Sequence, residues 1–577
     1  MAEPAASPAP GPGAPGPRDP GAGEIPFGTR PPEDVATRMR ERGWWRDRSI
    51  IQDLLDTAAE HPDAPAVVAA RTDAADPVTI GYAELAGHAE RFGAALLSLG
   101  IRRGDRVAFQ LPGWWEAAAL TLACAWTGAV AVPLLPTMRS RETERLLRMT
   151  GASLCVVPDT WNGYDYAAAL EEIAPGLPEL RHLVVHGDQV PDGAVDFAAH
   201  FLHTAHEARL PHPIEVPSGR DLDSVILVMF TSGTTGERKA VLHTENTLHA
   251  GTAAASDAAE RGWDKGEVFC SPHPVSGLAG LLYCLWGPIL ARGTGVYLDT
   301  WNAAEQLKLM AKARVTQVFA APPFATQLVE AQRADPHELP ALRFVMCGGA
   351  PVVPKLVADV TDAFAVPVRT CWGMTELGMG IRTPEGGPPA GAVRSDGRPL
   401  AGLEISLREV PGEDGVHRLW VRGPSVCVAV WSPGADGGTA RPTWTRDEGW
   451  MDTGDLVRDD GAGGVRFEGR ASRRVGGPYM IPVADVEGEI LHHPDVREAV
   501  IIGYSGEDGQ EHACAVLAPR ADRTPDLAEL RAFLAGRGMT EWYIPERVVA
   551  VAELPKNENG KVLVGELRPL LAREPVS

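Results

Sequence analysis

The densest chemistry in the chain lies in Thr231 to Ala240, TSGTTGERKA, which carries the hydroxyls of Thr231, Ser232, Thr234 and Thr235, the glycines Gly233 and Gly236, and Lys239. Small residues let a backbone approach a phosphate closely. Several N–H groups and hydroxyls can then donate to its oxygens, and Lys239 adds a point charge. The segment follows the apolar run VILVMF and precedes VLHTENTLHA, which reads as helical. It is not the G-x-x-x-x-G-K-[ST] loop, because the hydroxyls precede the lysine. A solvated linker is the competing reading, and the ordered flanks speak against it.

Other candidates follow in order. WGMTE, Trp372 to Glu376, places a carboxylate after a strand-like run. A carboxylate with phosphate oxygens suits a hard cation such as Mg²⁺, although Thr-Glu could equally open a helix. DTGDL holds Asp455, a short carboxylate able to accept two hydroxyls at once or simply to make a turn. Arg470 ends FEGR, where it could be a surface strand end, and Lys561 ends LPKNENGK, where a lone Lys after Gly is commonly a solvated turn.

Taken together, TSGTTG with its lysine, CGGAP, WGMTE, DTGDL, FEGR and LPKNENGK resemble the ordered motifs of the acyl-adenylate-forming superfamily. That superfamily includes AMP-forming acyl-CoA synthetases, nonribosomal peptide adenylation domains and firefly-type luciferases. The resemblance spans nearly the whole chain after its first residues. Arg238 and Ala240 stand where the family has Pro and Gly around the lysine. The early region RRGDRVAFQLPGWWEAAALTLACAWTGAVAVPLLPTMRSRETERLL and RERGWWRDRSI are similar to the aryl and alicyclic acid ligases.

The resemblance implies roles residue by residue. Thr231 to Gly236 and Lys239 would cradle phosphate, and Gly348, Gly349 and Ala350 would form the turn over adenine and ribose. Trp372 would lie against the adenine, Thr375 would contact the α-phosphate, and Glu376 would hold Mg²⁺. Asp455 would take the ribose hydroxyls, Arg470 would stand at the ribose and the domain junction, and Lys561 would bridge the carboxylate and the α-phosphate. The hinge would lie at Arg470 to Ser472.

The elements that must position these groups read as layers. From about residue 46 to 400 short apolar runs (RVAFQL, AVAVPLL, SLCVVP, HLVVHG, VILVMF, GVYLD, TQVFAAPP, RFVMCGG, VPVRTCWG) alternate with helix-like stretches such as YAELAGHAERFGAALLSLG and NAAEQLKLMAKA. That alternation implies α/β layers with largely parallel sheets. After Leu400, LEISLREV, HRLWVRGP and GVRFEGR read as hairpins of a β-rich subdomain. From about Ala471 an α+β segment of about 100 residues is long enough for its own domain. The expected organisation is a disordered Pro/Ala/Gly-rich tail over 1–33, an N-terminal domain over 34–470 and a small mobile C-terminal domain over 471–577.

At 577 residues the chain exceeds a single core. With 54 Lys and Arg against 76 Asp and Glu it carries a net charge of −22, which disfavours nucleic acid as a partner. The eight cysteines are far apart, with no C-x-x-C pair, so neither a zinc module nor a disulfide framework is expected and a reducing cytoplasm fits. No signal peptide is read. Two uncharged windows, Ala117 to Pro136 and Pro274 to Ala291, are broken by Gly and Pro and read as buried segments rather than membrane spans.

The expected activity is ATP-dependent conversion of a hydrophobic carboxylic acid to acyl-AMP, with thioester formation on CoA. HPVSGLAGLL and LGMGI are small and apolar, with no charge placed for an α-amino group. His273 is a candidate pocket residue or a structural one. The alternatives are a stand-alone ligase that loads a phosphopantetheine carrier protein, and a catalytically silent nucleotide-binding protein. After the hinge, ASRRVGG is shorter and more basic than in many relatives, which predicts slow transfer to CoA relative to adenylation or a preference for another thiol.

Overall fold

The computed structural model describes residues 25–232, 238–255, 266–349, 352, 354–384, 395–410, 415–433, 438–445, 447–470, 475, 481, 483–506, 511–521, 523–555 and 564–572. Every apolar run read as a strand is one, because β-branched and apolar residues fit a sheet covered on both faces. Two nine-stranded sheets form the large N-terminal part. In one, Arg106–Phe109, Val130–Pro133, Leu154–Pro158, His182–His186 and Val225–Ser232 lie side by side. In the other, Val368–Met374, Phe344–Gly348, Gln317–Ala320, Val268–Cys270, Thr294–Leu298 and Pro65–Ala70 are neighbours and all parallel. Parallel neighbours need crossovers, which the helices Ala303–Lys312, Pro322–Ala334 and Pro354–Phe364 supply.

The two uncharged windows resolve as buried punctuated segments. Trp115–Thr127 is a helix buried from Trp115 through Trp126, and it ends at Gly128 with φ +73°. That left-handed cap suits Gly because it carries no Cβ. The second window is a broken helix, Leu278–Leu281, a π-helical turn Leu282–Trp286 and Gly287–Ala291. No helix among the described residues is long and apolar enough to cross a membrane.

A four-stranded antiparallel sheet of Glu404–Glu409, His417–Arg422, Met451–Asp459 and Val465–Arg470 follows. The C-terminal part packs the helices Val483–Ile490 and Leu527–Gly536 on a three-stranded sheet, Val496–Ser505, Glu511–Pro519 and Arg547–Ala550. The structure is therefore the α/β fold with a small α+β C-terminal part that the sequence implies.

Two readings change. Residues 25–33, grouped with the tail on composition, are anchored: Ile25 is 4% exposed inside a core cluster and Arg106 lies 5.2 Å over the Phe27 ring. Two apolar side chains outweigh a Pro/Gly-rich surrounding once a groove exists to take them. The run VLHTENTLHA is not helical throughout. Arg238–Thr244 is a strand, antiparallel to Val225–Ser232, and the helix starts at Glu245. Thr244 and Thr247 exchange side-chain and backbone hydrogen bonds there, at 3.1 and 3.2 Å, which fixes the helix start. Pairing of Ala240 with Trp431 claims the preceding residues for the sheet.

Candidate active site

The hairpin formed by Val225–Ser232 and Arg238–Thr244 pairs Thr231 with Lys239 and Ser232 with Arg238. Gly233, Thr234, Thr235 and Gly236, the centre of the expected phosphate cradle, lie outside the described residues. The structure thus gives the two strands that flank the expected cradle, with Lys239 half-buried on one of them. All eight cysteines are buried thiols with no disulfide.

A second candidate element lies on the other sheet. Phe344–Gly348 runs into Gly349, whose φ is +88°, and Ala350 lies outside the described residues. Beside it, Val368–Met374 carries Trp372 and turns back as Gly378–Arg382. Thr375 and Glu376 sit in that turn, closed by Leu377 N–H donating to Met374 O at 3.1 Å, and so they do not open a helix. A Cβ on Gly373 would stand 2.2 Å from the Gly378 carbonyl oxygen, so only glycine permits this hairpin.

Both peptide carbonyls of the turn are held. Cys427 N–H donates to Glu376 O at 2.7 Å, and His243 Nε2 lies 2.7 Å from Thr375 O. Burial pushes the His243 imidazole down to about 4, so it is neutral near pH 7. A carbonyl can only accept, so the single ring proton is on Nε2, and Nδ1 lies 3.0 Å from Thr247 Oγ1, whose hydroxyl is also 3.0 Å from Thr244 O. His243 therefore ties the strand after the cradle directly to Thr375. No motif marks it, and only the tertiary pairing reveals it.

Trp372 and Asp455, far apart in sequence, meet: the indole Nε1–H donates to Asp455 Oδ2 at 2.9 Å, and the ring stacks on Phe467 at 5.3 Å. Asp455 is 4% exposed and lies opposite Arg470 in the strand register. Lys561 lies outside the described residues, as do Ala471 and Ser472, where the hinge is expected.

Gly349, Trp372, Gly373 and Thr375 line one end of an apolar slot of about 380 Å³. Its floor is one face of the parallel sheet, through Phe319, Phe344, Met346 and Cys371. Its opposite wall is the broken helix, through Leu278, Leu282 and Tyr283. His273 also lines it, with its ring stacked on Phe319 at 5.0 Å and Nδ1 3.0 Å from Ser271 Oγ. Burial takes the His273 pKa down to about 4 and raises that of the Tyr283 phenol well above its ordinary value, so both groups are neutral. Thr375 lines the slot, and Glu376 follows it in the same turn.

The C-terminal part meets this region through polar groups. Glu489 pairs with Arg141 at 2.7 Å and with Arg537, and Thr540 Oγ1–H donates to Glu142 Oε2 at 2.7 Å. Arg238, where the family motif has Pro, lies 5.5 Å over the Tyr543 ring.

A family model described as "AMP-binding enzyme" matches residues 54–431, and "AMP-binding enzyme C-terminal domain" matches 485–561. The chain is 30% identical to a medium-chain fatty-acid–CoA ligase of Escherichia coli (strain K12), over 92% of each chain. It is 28% identical to a 2-hydroxy-7-methoxy-5-methyl-1-naphthoate–CoA ligase of Streptomyces carzinostaticus, over 99% of each. Among solved structures, an amide bond synthetase from Marinactinospora thermotolerans superposes with a TM-score of 0.72 at 26% identity, covering 90% of this chain and 99% of that one.

Proposed function

The chain belongs to the AMP-binding enzyme family, and from that premise we propose that it activates a hydrophobic carboxylic acid with ATP, forming acyl-AMP and pyrophosphate, and then passes the acyl group to a thiol, most simply that of CoA. The observation that carries this reading is the apolar slot whose one end is Trp372, Thr375 and Gly349. His243 fastens that end to the arm of the TSGTTG hairpin.

In the first step a carboxylate oxygen attacks the α-phosphorus of ATP and the bond to the bridging oxygen breaks, releasing pyrophosphate. Two anions must be brought into line, so positioning and positive charge dominate the barrier. The slot orients the acid with its carboxylate toward Thr375, which would donate to the α-phosphate. The hydroxyls and N–H groups of residues 231–236, with Lys239, would hold the phosphates. Trp372 would lie against the adenine, under the turn made by Gly348, Gly349 and Ala350. Asp455 would accept from the ribose, with Arg470 beside it. Lys561 would bridge the carboxylate and the α-phosphate.

Glu376 would hold Mg²⁺, for which a half-buried carboxylate beside phosphate oxygens is a fitting donor. The ion, when bound, supplies positive charge to the phosphates. In the second step a thiol sulfur attacks the acyl carbon, AMP leaves and the thiol proton passes to solvent. Rotation of a C-terminal domain beginning at residue 471 would admit the thiol. Eight buried thiols suit a reducing cytoplasm. A phosphopantetheine on a carrier protein is the alternative acceptor.

A panel of fatty, aryl and alicyclic acids scored for ATP-dependent pyrophosphate release, with and without CoA, tests the reading. Acid-dependent release without CoA, and acyl-CoA with it, is the expected result. ATP binding with no release for any acid would leave a silent nucleotide-binding protein.

A further inference from the structure

The end of the slot remote from Thr375 is polar, and its hydrogen-bond sense is fixed. Phe269, Gln317 and Phe344 form one row across three parallel strands, and Phe319 and Met346 form the next row toward Gly348. At ~3.3 Å per residue the first row stands about 13 Å from Gly348, so the slot is longer than a single ring. Its aromatic floor and helical wall leave a flat space.

Polarity is set from the outer end inward. Arg343 pairs with Glu267, whose carboxylate oxygens accept. Gln317 Nε2–H donates to Glu267 Oε2 at 2.9 Å, and Thr316 Oγ1–H donates to the same oxygen at 2.8 Å. That orients the Gln317 amide with Oε1 toward Tyr283, whose phenol donates to it at 2.9 Å. The only phenolic proton is thereby committed, and what Tyr283 offers the slot is an acceptor lone pair. A buried acceptor selects a partner that brings a donor, because a ligand without one leaves it unpaired.

Resting on the adenylation reading of this slot, we propose that the substrate is a flat aromatic acid, longer than one ring, that carries a hydroxyl or amino donor on the edge remote from its carboxylate, where Tyr283 Oη accepts it. Gln317, oriented by Glu267 and Arg343, is the positioning residue that sets this preference.

Matched pairs test it: 2-naphthoate against 6-hydroxy-2-naphthoate, with 6-methoxy-2-naphthoate as the acceptor-only analogue, each measured both by pyrophosphate release and by calorimetric binding. The wild-type protein should favour the hydroxy acid about tenfold over both others. Tyr283→Phe should bring the hydroxy/unsubstituted ratio to about one. Gln317→Leu frees the phenolic proton and should shift preference toward the methoxy acid, a reversal that a purely structural role would not produce. Equal use of the three acids by the wild type, an unchanged ratio in Tyr283→Phe, or no binding of any of them overturns the inference. Tighter binding of the hydroxy acid with no pyrophosphate release from any acid upholds it and overturns the adenylation reading instead.

Discussion

The slot and the seam to the C-terminal part are built from opposite materials. The slot is walled by Phe269, Phe319, Phe344 and Met346, and the imidazoles beside it, His243 and His273, are kept neutral by burial. The seam is Arg141, Glu489, Arg537, Glu142 and Thr540, and burial raises the Glu142 carboxyl above its ordinary value. Apolar contact fixes geometry because interiors are close-packed and resist displacement. Partly exposed ion pairs exchange readily for water and contribute little stability. The difference teaches that the slot is held by close packing, whereas the seam rests on polar pairs that water can replace.

The largest expected effect tests whether the C-terminal part carries chemistry into the slot. Lys561→Ala should lower pyrophosphate release by about 10²-fold, the scale of one preorganised electrostatic donor. Consumption of supplied acyl-AMP by thiol should be largely retained, and near-normal release would remove Lys561 from the adenylation step.

Next in size, His243→Leu attacks the rigidity of the slot's reactive end. A buried carbonyl left without its donor costs about 1–3 kcal/mol, which predicts a loss in kcat of about tenfold with a smaller change in KM for the acid. His243→Gln, which can present an N–H, should recover part of it. If both variants lose equally, the imidazole is filling space rather than holding Thr375.

A third test uses pH. Burial lowers the pKa of His243 and His273 to about 4 and that of His249 to about 3, while burial raises that of Glu245 to about 8. As pH falls from the ordinary imidazole value of about 6.5 toward 4, the unfolded chain binds protons at three histidines that the native chain refuses, so stability falls. Glu245 acts the other way. The native chain keeps a proton there that the unfolded chain loses above about 4.5, so this contribution fades as pH rises through about 8. Three groups against one give a net acid loss, of about 3 kcal/mol for His243 alone at 1.36 kcal/mol per pKa unit. Thermal melting should peak near neutrality and fall more steeply on the acid side; a melting temperature flat from pH 7 to 5 would refute the buried neutral histidines.

The smallest effect belongs to the seam. Glu489→Gln weakens pairs with two arginines that are 30% and 39% exposed, so unfolding should change by less than about 1 kcal/mol. The ratio of adenylation to thiol transfer should nevertheless shift by a few-fold in single-turnover experiments. A large melting shift with no change in that ratio would make the seam a permanent interface.

Much of this was legible in the sequence because it is local. Apolar runs marked the strands, Gly and Pro broke the apolar windows, and TSGTTG, WGMTE and DTGDL announced themselves by residue type at short spacing. Local signals failed where distant partners compete. The run VLHTENTLHA looks helical, yet pairing of Val241 with Val430 and Leu242 with Ala429 makes its start a strand. Ile25 and Phe27 were submerged in a Pro/Gly-rich composition until a core was there to receive them.

The sequence by itself determined the layered α/β class and the order of the candidate chemical groups, since periodicity and motif spacing are properties of short windows. Only the tertiary structure decided that His243 clamps Thr375, and that Arg343, Glu267, Gln317 and Tyr283 form one relay at the far end of the slot. Those residues come from separate strands, the positions just before two of them, and a broken helix. Parallel register and helix packing, which no short window encodes, bring them within hydrogen-bond reach.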